Sequence, residues 1–180
     1  GDKHPEIATT LSYLADVSRN KGNYDIAVEN LQKALAIAQD SFGQNHPTVA
    51  RYWSSLGNAY TPLNKFEKAL SAHQHSLAIS QKTLKPLHPS IAASWGSLGH
   101  VWKIKGDYDK ALSHHKKALT INRKTLGKNH PTVALNLNNI GSVWLAKGNY
   151  QKAIENYEKS LIINLAVLGK DHPKVATVWS

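Results

Sequence analysis

The chain has 180 residues, 41% hydrophobic and 19% charged, with a formal net charge of +10 and neither cysteine nor methionine. This is the composition of a folded domain able to bury a sizeable apolar area, and it excludes a disulfide framework and any thiolate-held zinc. No apolar run reaches the roughly 20 residues of a spanning helix and no secretory leader opens the chain, so a soluble, cytoplasmic protein without membrane insertion is expected. One domain over residues 1–180 is expected. The start at Gly1, just ahead of a His-Pro pair, together with the missing methionine, suggests a fragment excised from a longer protein.

Taken in chain order, one segment recurs. His-Pro stands at His4-Pro5, His46-Pro47, His88-Pro89, His130-Pro131 and His172-Pro173, each pair 42 residues after the last. Proline is tolerated in a first helical turn and pushes the residue before it out of the α region, so each pair starts a helix. These first helices are expected over residues 5–21, 47–63, 89–105 and 131–147, each ending before Gly22, Asn64, Gly106 or Gly148, the residue types that suit a left-handed cap. Second helices are expected over 23–42, 65–84, 107–126 and 149–168. They are released by Gly43, Gly127 and Gly169, and by Lys85-Pro86 in the second repeat. Within the helices, the large residues Leu11, Trp53, Trp95 and Leu137 are followed three places on by Leu14, Leu56, Leu98 and Ile140, and the second helices carry Ala27, Ala69, Ala111 and Ala153 in one register. Spacings of three, four and seven mark one buried face. A fixed period of this length means that each helix pair buries its apolar face on its neighbours.

The segments Leu126-Gly127-Lys128-Asn129-His130-Pro131-Thr132-Val133-Ala134 and Leu137-Asn138-Asn139-Ile140-Gly141, with Tyr150, Ala153 and Ser160 following, carry a resemblance. The pattern resembles the tetratricopeptide repeat, lengthened from the 34 residues of that repeat to 42, and it looks like the kinesin light chain type. The resemblance covers essentially residues 4–180. It implies an all-α, right-handed superhelical solenoid of antiparallel helix pairs, with repeats over 5–46, 47–88, 89–130 and 131–172 and a partial fifth over 173–180. It also implies that first helices line a concave groove holding extended, often acidic and aromatic-containing peptides.

Residues with possible chemistry fall into repeat registers. His73, His75, His114 and His115, with His100 nearby in repeat order, could suggest a metal cluster, but neighbours one or two apart do not share a helix face and no further ligand completes a set. His73 and His115 share a register with Leu31 and Tyr157, which points to packing, and the His of each His-Pro is expected to make a local backbone hydrogen bond. All five tryptophans occupy two registers, which places them in an inter-helix core. The glycines form no phosphate-cradling loop, and no nucleophile and base stand together. No catalysis, cofactor, metal or small-molecule substrate is expected.

Charge alone breaks the symmetry: the four repeats carry −2, +4, +6 and +1. Lys110, Lys116, Lys117, Arg123 and Lys124 lie on a second helix and read as a solvated outer face, so only basic residues on first helices qualify for a groove. Candidates to hold a protein or peptide ligand, acidic by complementarity, are Arg51, Ser55, Asn58, Ser97, His100, Lys103, Asn138 and Asn139. The expected function is a non-catalytic interaction scaffold. The alternatives are the sensor or scaffold region of a larger signalling protein with its ATPase or protease elsewhere, and, behind it, nucleic-acid binding through a continuous basic stripe. The end at Val178-Trp179-Ser180 leaves the last full repeat without a complete polar cap, so self-association through that end is a further expectation.

Overall fold

A computed structural model describes residues 4–168; the expected partial fifth repeat, with Gly169, His172, Pro173 and Trp179, lies outside the described residues. The described residues form eight α-helices in chain order: α1 (Pro5–Asn20), α2 (Tyr24–Phe42), α3 (Pro47–Tyr60), α4 (Phe66–Thr83), α5 (Pro89–Ile104), α6 (Tyr108–Leu126), α7 (Pro131–Ala146) and α8 (Tyr150–Leu168). They divide between Pro86 and Leu87 into two compact units, α1 to α4 and α5 to α8, each of two helix pairs.

The His-Pro pairs start the odd-numbered helices for a reason visible at the atoms. Each His is an N-cap in extended conformation, its Nδ1 accepting the N–H two residues on: Glu6 at 3.3 Å, Thr48 at 3.2 Å, Ser90 at 3.2 Å and Thr132 at 3.1 Å. Proline then occupies the first turn, where its missing N–H costs nothing. Between paired helices the chain turns through φ of 80° at Gly22, 84° at Gly106 and 80° at Gly148; Asn64 does the same at 55°, the side chain that best tolerates that region after glycine. Helix α3 ends at Tyr60, short of the expected residue 63. Pro62 has no N–H to continue the ladder, and the Thr61 hydroxyl donates to the Gly57 carbonyl at 2.9 Å.

Each helix pair closes over a small residue. A Cβ on Gly57 would fall 2.5 Å from the His73 ring, one on Gly99 2.8 Å from the His115 ring and one on Gly141 2.8 Å from the Tyr157 ring. In the first pair the same two registers hold Ala15 and Leu31, both buried. A ring therefore goes with glycine, and a slimmer Leu goes with alanine. His73 and His115 are packing residues, as their register indicates, while His75 and His114 point elsewhere and stack on Trp53 and Trp95 at centroid distances of 4.6 and 5.2 Å.

Within each unit, the second helix of one repeat packs on the first helix of the next, α2 on α3 and α6 on α7. In the second unit Leu112 and Leu119 of α6 pack in one cluster with Val133, Ile140 and Val143 of α7, and Ile163 of α8 completes it. The buried Asn122 side-chain amide donates to Asn136 Oδ1 at 2.7 Å across the same α6–α7 junction. Ion pairs bridge successive repeats near the turns: Lys65 with Asp25 at 2.9 Å in the first unit, Lys147 with Asp109 in the second.

The tryptophans depart from the expected core. Trp53, Trp95, Trp102 and Trp144 are half-buried and lie along the seams, with cations over their faces: Lys117 over Trp95 at 4.1 Å, Lys110 over Trp102 at 4.2 Å and Lys152 over Trp144 at 4.5 Å. An indole is too large for sites where the helix backbones approach across glycine and alanine, so one face packs inward while Lys and His cover the other.

The pairing of residue sizes predicts a compensation. Gly57→Ala should destabilise the chain by about 1 to 3 kcal/mol through its clash with His73. Adding His73→Leu, which recreates the first pair's combination, should recover most of the loss in urea unfolding followed by circular dichroism. Equal losses for the single and double variants would show that ring size does not set the helix spacing.

Candidate functional site

Positions three, four and seven apart on a first helix share its outer face. On α3 this face carries exposed Arg51, half-buried Ser55 and exposed Asn58; the Arg51 guanidinium lies over the Tyr52 ring, 4.7 Å from its centroid. On α5 it carries half-buried Ser97 and Lys103 with exposed His100, and on α7 exposed Asn138 and half-buried Asn139. The candidates thus fall into one set in the first unit and one in the second, and each is described on its own.

In the second unit the side chains of α5 and α7 meet. Lys103 Nζ donates to Ser142 Oγ at 3.4 Å, and that hydroxyl donates to the Asn139 carbonyl at 2.9 Å. Ser142 therefore links the Lys103 ammonium group to the backbone carbonyl of Asn139. The sequences of α3, α5 and α7 contain no Asp or Glu. Among the described residues, the acids of the second unit lie on α6, α8 or the turn before α6, where Asp107 pairs with Lys110 at 2.9 Å and Asp109 with Lys147. No carboxylate on α5 or α7 competes for Lys103.

Loss of hydration, followed by the Lys103 charge, holds the His100 imidazole below its ordinary pKa, so at neutral pH it can donate from one ring nitrogen and accept at the other. Sequence reasoning placed Leu135 on this face and missed its other apolar members, Ile104 and Leu145. Leu135, Ile104 and Leu145 are exposed, and Leu135 and Leu145 are in helical register with Asn138 and Ser142. Continuing the three-four spacing one turn beyond His100 and Ser142 would have found the last two. The face offers amide donors and acceptors, one cation and aliphatic surface. Among the described residues no three His, Asp or Glu side chains gather as a metal ligand set, and no helix is long and apolar enough to cross a membrane.

The tetratricopeptide repeat model matches residues 6–82, 90–161 and 133–180, and the chain belongs to that family. Among solved structures it is similar to BtubC (BKLC) from P. vanneervenii, with a TM-score of 0.82 and 26% identity over 94% of this chain and 68% of that one. It is equally similar to a putative kinesin light chain of Podosopora anserina with nearly identical TPR-like repeats, at TM-score 0.82 and 26% identity over 97% and 82%. MamA, at TM-score 0.64 and 22% identity over 88% and 79%, shares the fold. No curated protein matches the chain. The resemblance to kinesin light chain repeats read from the 42-residue period is therefore shared by solved structures, and the all-α class of helix pairs with it.

Burial makes one group of this region acid-sensitive. Burial first, then the His100, Lys103 and His114 charges, push the His115 pKa down to about 4. A histidine depressed in the folded state takes up its proton preferentially when unfolded, so stability is complete above the unfolded pKa near 6.5 and falls as pH drops towards 4. The loss between pH 7 and 4.5 should be about 2 to 3 kcal/mol from this side chain. His115→Tyr, the ring used at Tyr157 opposite Gly141, should lose that much less over the same range in urea titrations. Identical slopes for the two proteins would assign the acid sensitivity to other groups.

Proposed function

We infer that this chain, a member of the tetratricopeptide repeat family, is a protein-interaction scaffold. We propose that it is non-catalytic and holds an extended acidic peptide on the outer faces of its first helices in the second unit, with Ser97, His100, Lys103, Asn138 and Asn139 contacting it; Arg51, Ser55 and Asn58 form a candidate set of their own in the first unit. The observation that carries the reading is Lys103: it is held by Ser142 beside Asn139, on two helices that contain no carboxylate. A peptide carboxylate arriving there supplies the missing countercharge, and a charge-assisted hydrogen bond is about twice as strong as a neutral one. The aliphatic Leu135 and Leu145 suit apolar peptide side chains between the carboxylates.

The probe is a fluorescein-labelled extended peptide alternating Asp or Glu with Leu or Trp, followed by anisotropy. Lys103→Glu should weaken it about tenfold, equivalent to 1.4 kcal/mol, whereas Lys116→Glu on the exposed face of α6 should act only through long-range steering and change affinity by less than about threefold. Circular dichroism should show both variants folded. Equal weakening by both, or equal binding of the Asn/Gln version of the peptide, would replace the proposed face with a diffuse basic surface.

A further inference from the structure

Charge breaks the repeat symmetry most strongly at one helix. Along α6, every side chain exposed between Lys110 and Lys124 is a base or a hydroxyl. Lys110, Lys117 and Lys124 follow one another at intervals of two helical turns, with Ser113 and Thr120 in the turns between. Lys116 and Arg123 form a second track beside them. At 1.5 Å per residue the row is about 21 Å long. Helix packing does not require it: one period earlier the registers of Lys116 and Arg123 hold Gln74 and Gln81, and two periods earlier Gln32 and Gln39.

The row also lacks countercharge. Helices α5 and α7, which pack against α6, contain no Asp or Glu, and the two acids at the start of α6 are engaged, Asp107 with Lys110 and Asp109 with Lys147. No carboxylate of these elements is left for Lys116, Lys117, Arg123 or Lys124. Aromatic rings of α5 hold two members of the row in place: Lys110 Nζ lies 4.2 Å from the Trp102 centroid and Lys117 Nζ 4.1 Å from that of Trp95.

We propose that this face of α6 binds the phosphate backbone of a single-stranded nucleic acid, without regard to base sequence. A strand stretched at about the 3.4 Å per nucleotide that it has in a duplex passes roughly six phosphates along the row. A duplex strand curves away from a straight row within half a turn, about five base pairs. The Ser113 hydroxyl is placed to donate to a phosphate oxygen between two cations. The face has no apolar surface for a peptide side chain or an acyl chain, since Ala111, Leu112, Ala118, Leu119 and Ile121 are all buried, and this favours a backbone polyanion over a peptide or a membrane. Its cations all lie on a second helix, so the site is separate from the first-helix face proposed for peptides.

Anisotropy of a fluorescein-labelled single strand of about 20 nucleotides, a length that overhangs the row at both ends, tests it. In about 50 mM salt the wild-type chain should bind with micromolar affinity, equally for an all-thymine and a mixed sequence. With four cations engaged, log K should fall with log salt at a slope of about 3. Replacing two of them, Lys117→Gln with Lys124→Gln, should bring the slope to about 1.5 and weaken binding at least about tenfold. The pair Lys68→Gln and Lys82→Gln on α4, and separately Lys103→Gln, should each change affinity by less than about twofold; the last keeps this reading distinct from the peptide one. Circular dichroism should show all variants folded. No binding in about 50 mM salt, an unchanged slope in the α6 variant, an equal loss from the α4 pair, or tighter binding of the duplex overturns the inference. Retention by phosphatidylserine vesicles in preference to the oligonucleotide, lost in the same α6 variant, overturns it in favour of a membrane surface.

Discussion

In each helix pair a large side chain of the second helix stands, in a fixed register, against a small residue of the first. This contact decides how near the two backbones come, and hence where every other register points. His73 against Gly57, His115 against Gly99, Tyr157 against Gly141 and Leu31 against Ala15 are four solutions to one spacing. Dense packing makes such a contact intolerant of an added methyl group. The half-buried seam tryptophans, the apolar junctions between repeats and the outward set of the first helices all lie at fixed angular offsets from that line. The acid sensitivity of His115 is a by-product of the same geometry, because burial of its imidazole as a filler disfavours the charged form.

Much of this architecture is legible in the residues, because backbone constraints are local and repeat. His-Pro marks a helix start through a cap and a missing donor, and Gly or Asn marks the turn through a positive φ, so helix starts and most helix ends fall within a residue or two of their expected places. Where a local feature outside the repeat intervenes, as at Pro62, the boundary moves. The tryptophans show the limit of periodicity. A register says that a residue lies between helices, and it does not say how much of an indole those helices can cover once Lys110, Lys117 and Lys152 compete for its face.

The binding face is legible in outline for a different reason. Its residues occupy the registers that packing leaves free, so sequence can name the face while saying little about its contents. The Lys103–Ser142–Asn139 connection depends on two helices brought together by tertiary packing, at a separation of 39 residues. The absence of carboxylates from α3, α5 and α7, by contrast, is visible in the bare sequence and becomes meaningful only when those helices are seen to present the outward set. Ile104 and Leu145 escaped notice because apolar residues at helix ends look like packing until their exposure is known.

The buried Asn122–Asn136 bond has a consequence for how such an array can be rearranged. In the first unit the same two registers hold Ala38 and Tyr52, both buried, so the α2–α3 junction has no polar pair there. Helix pairs that share a backbone period are therefore not interchangeable modules. Transplanting the pair that begins with α7 onto α2 would set the Asn136 amide against alanine, burying a donor and an acceptor with nothing to satisfy them, at a cost of about 1 to 3 kcal/mol. The order of repeats along the chain is thus written into the junctions themselves, and a duplication or exchange of units must carry its matching neighbour with it to be accepted.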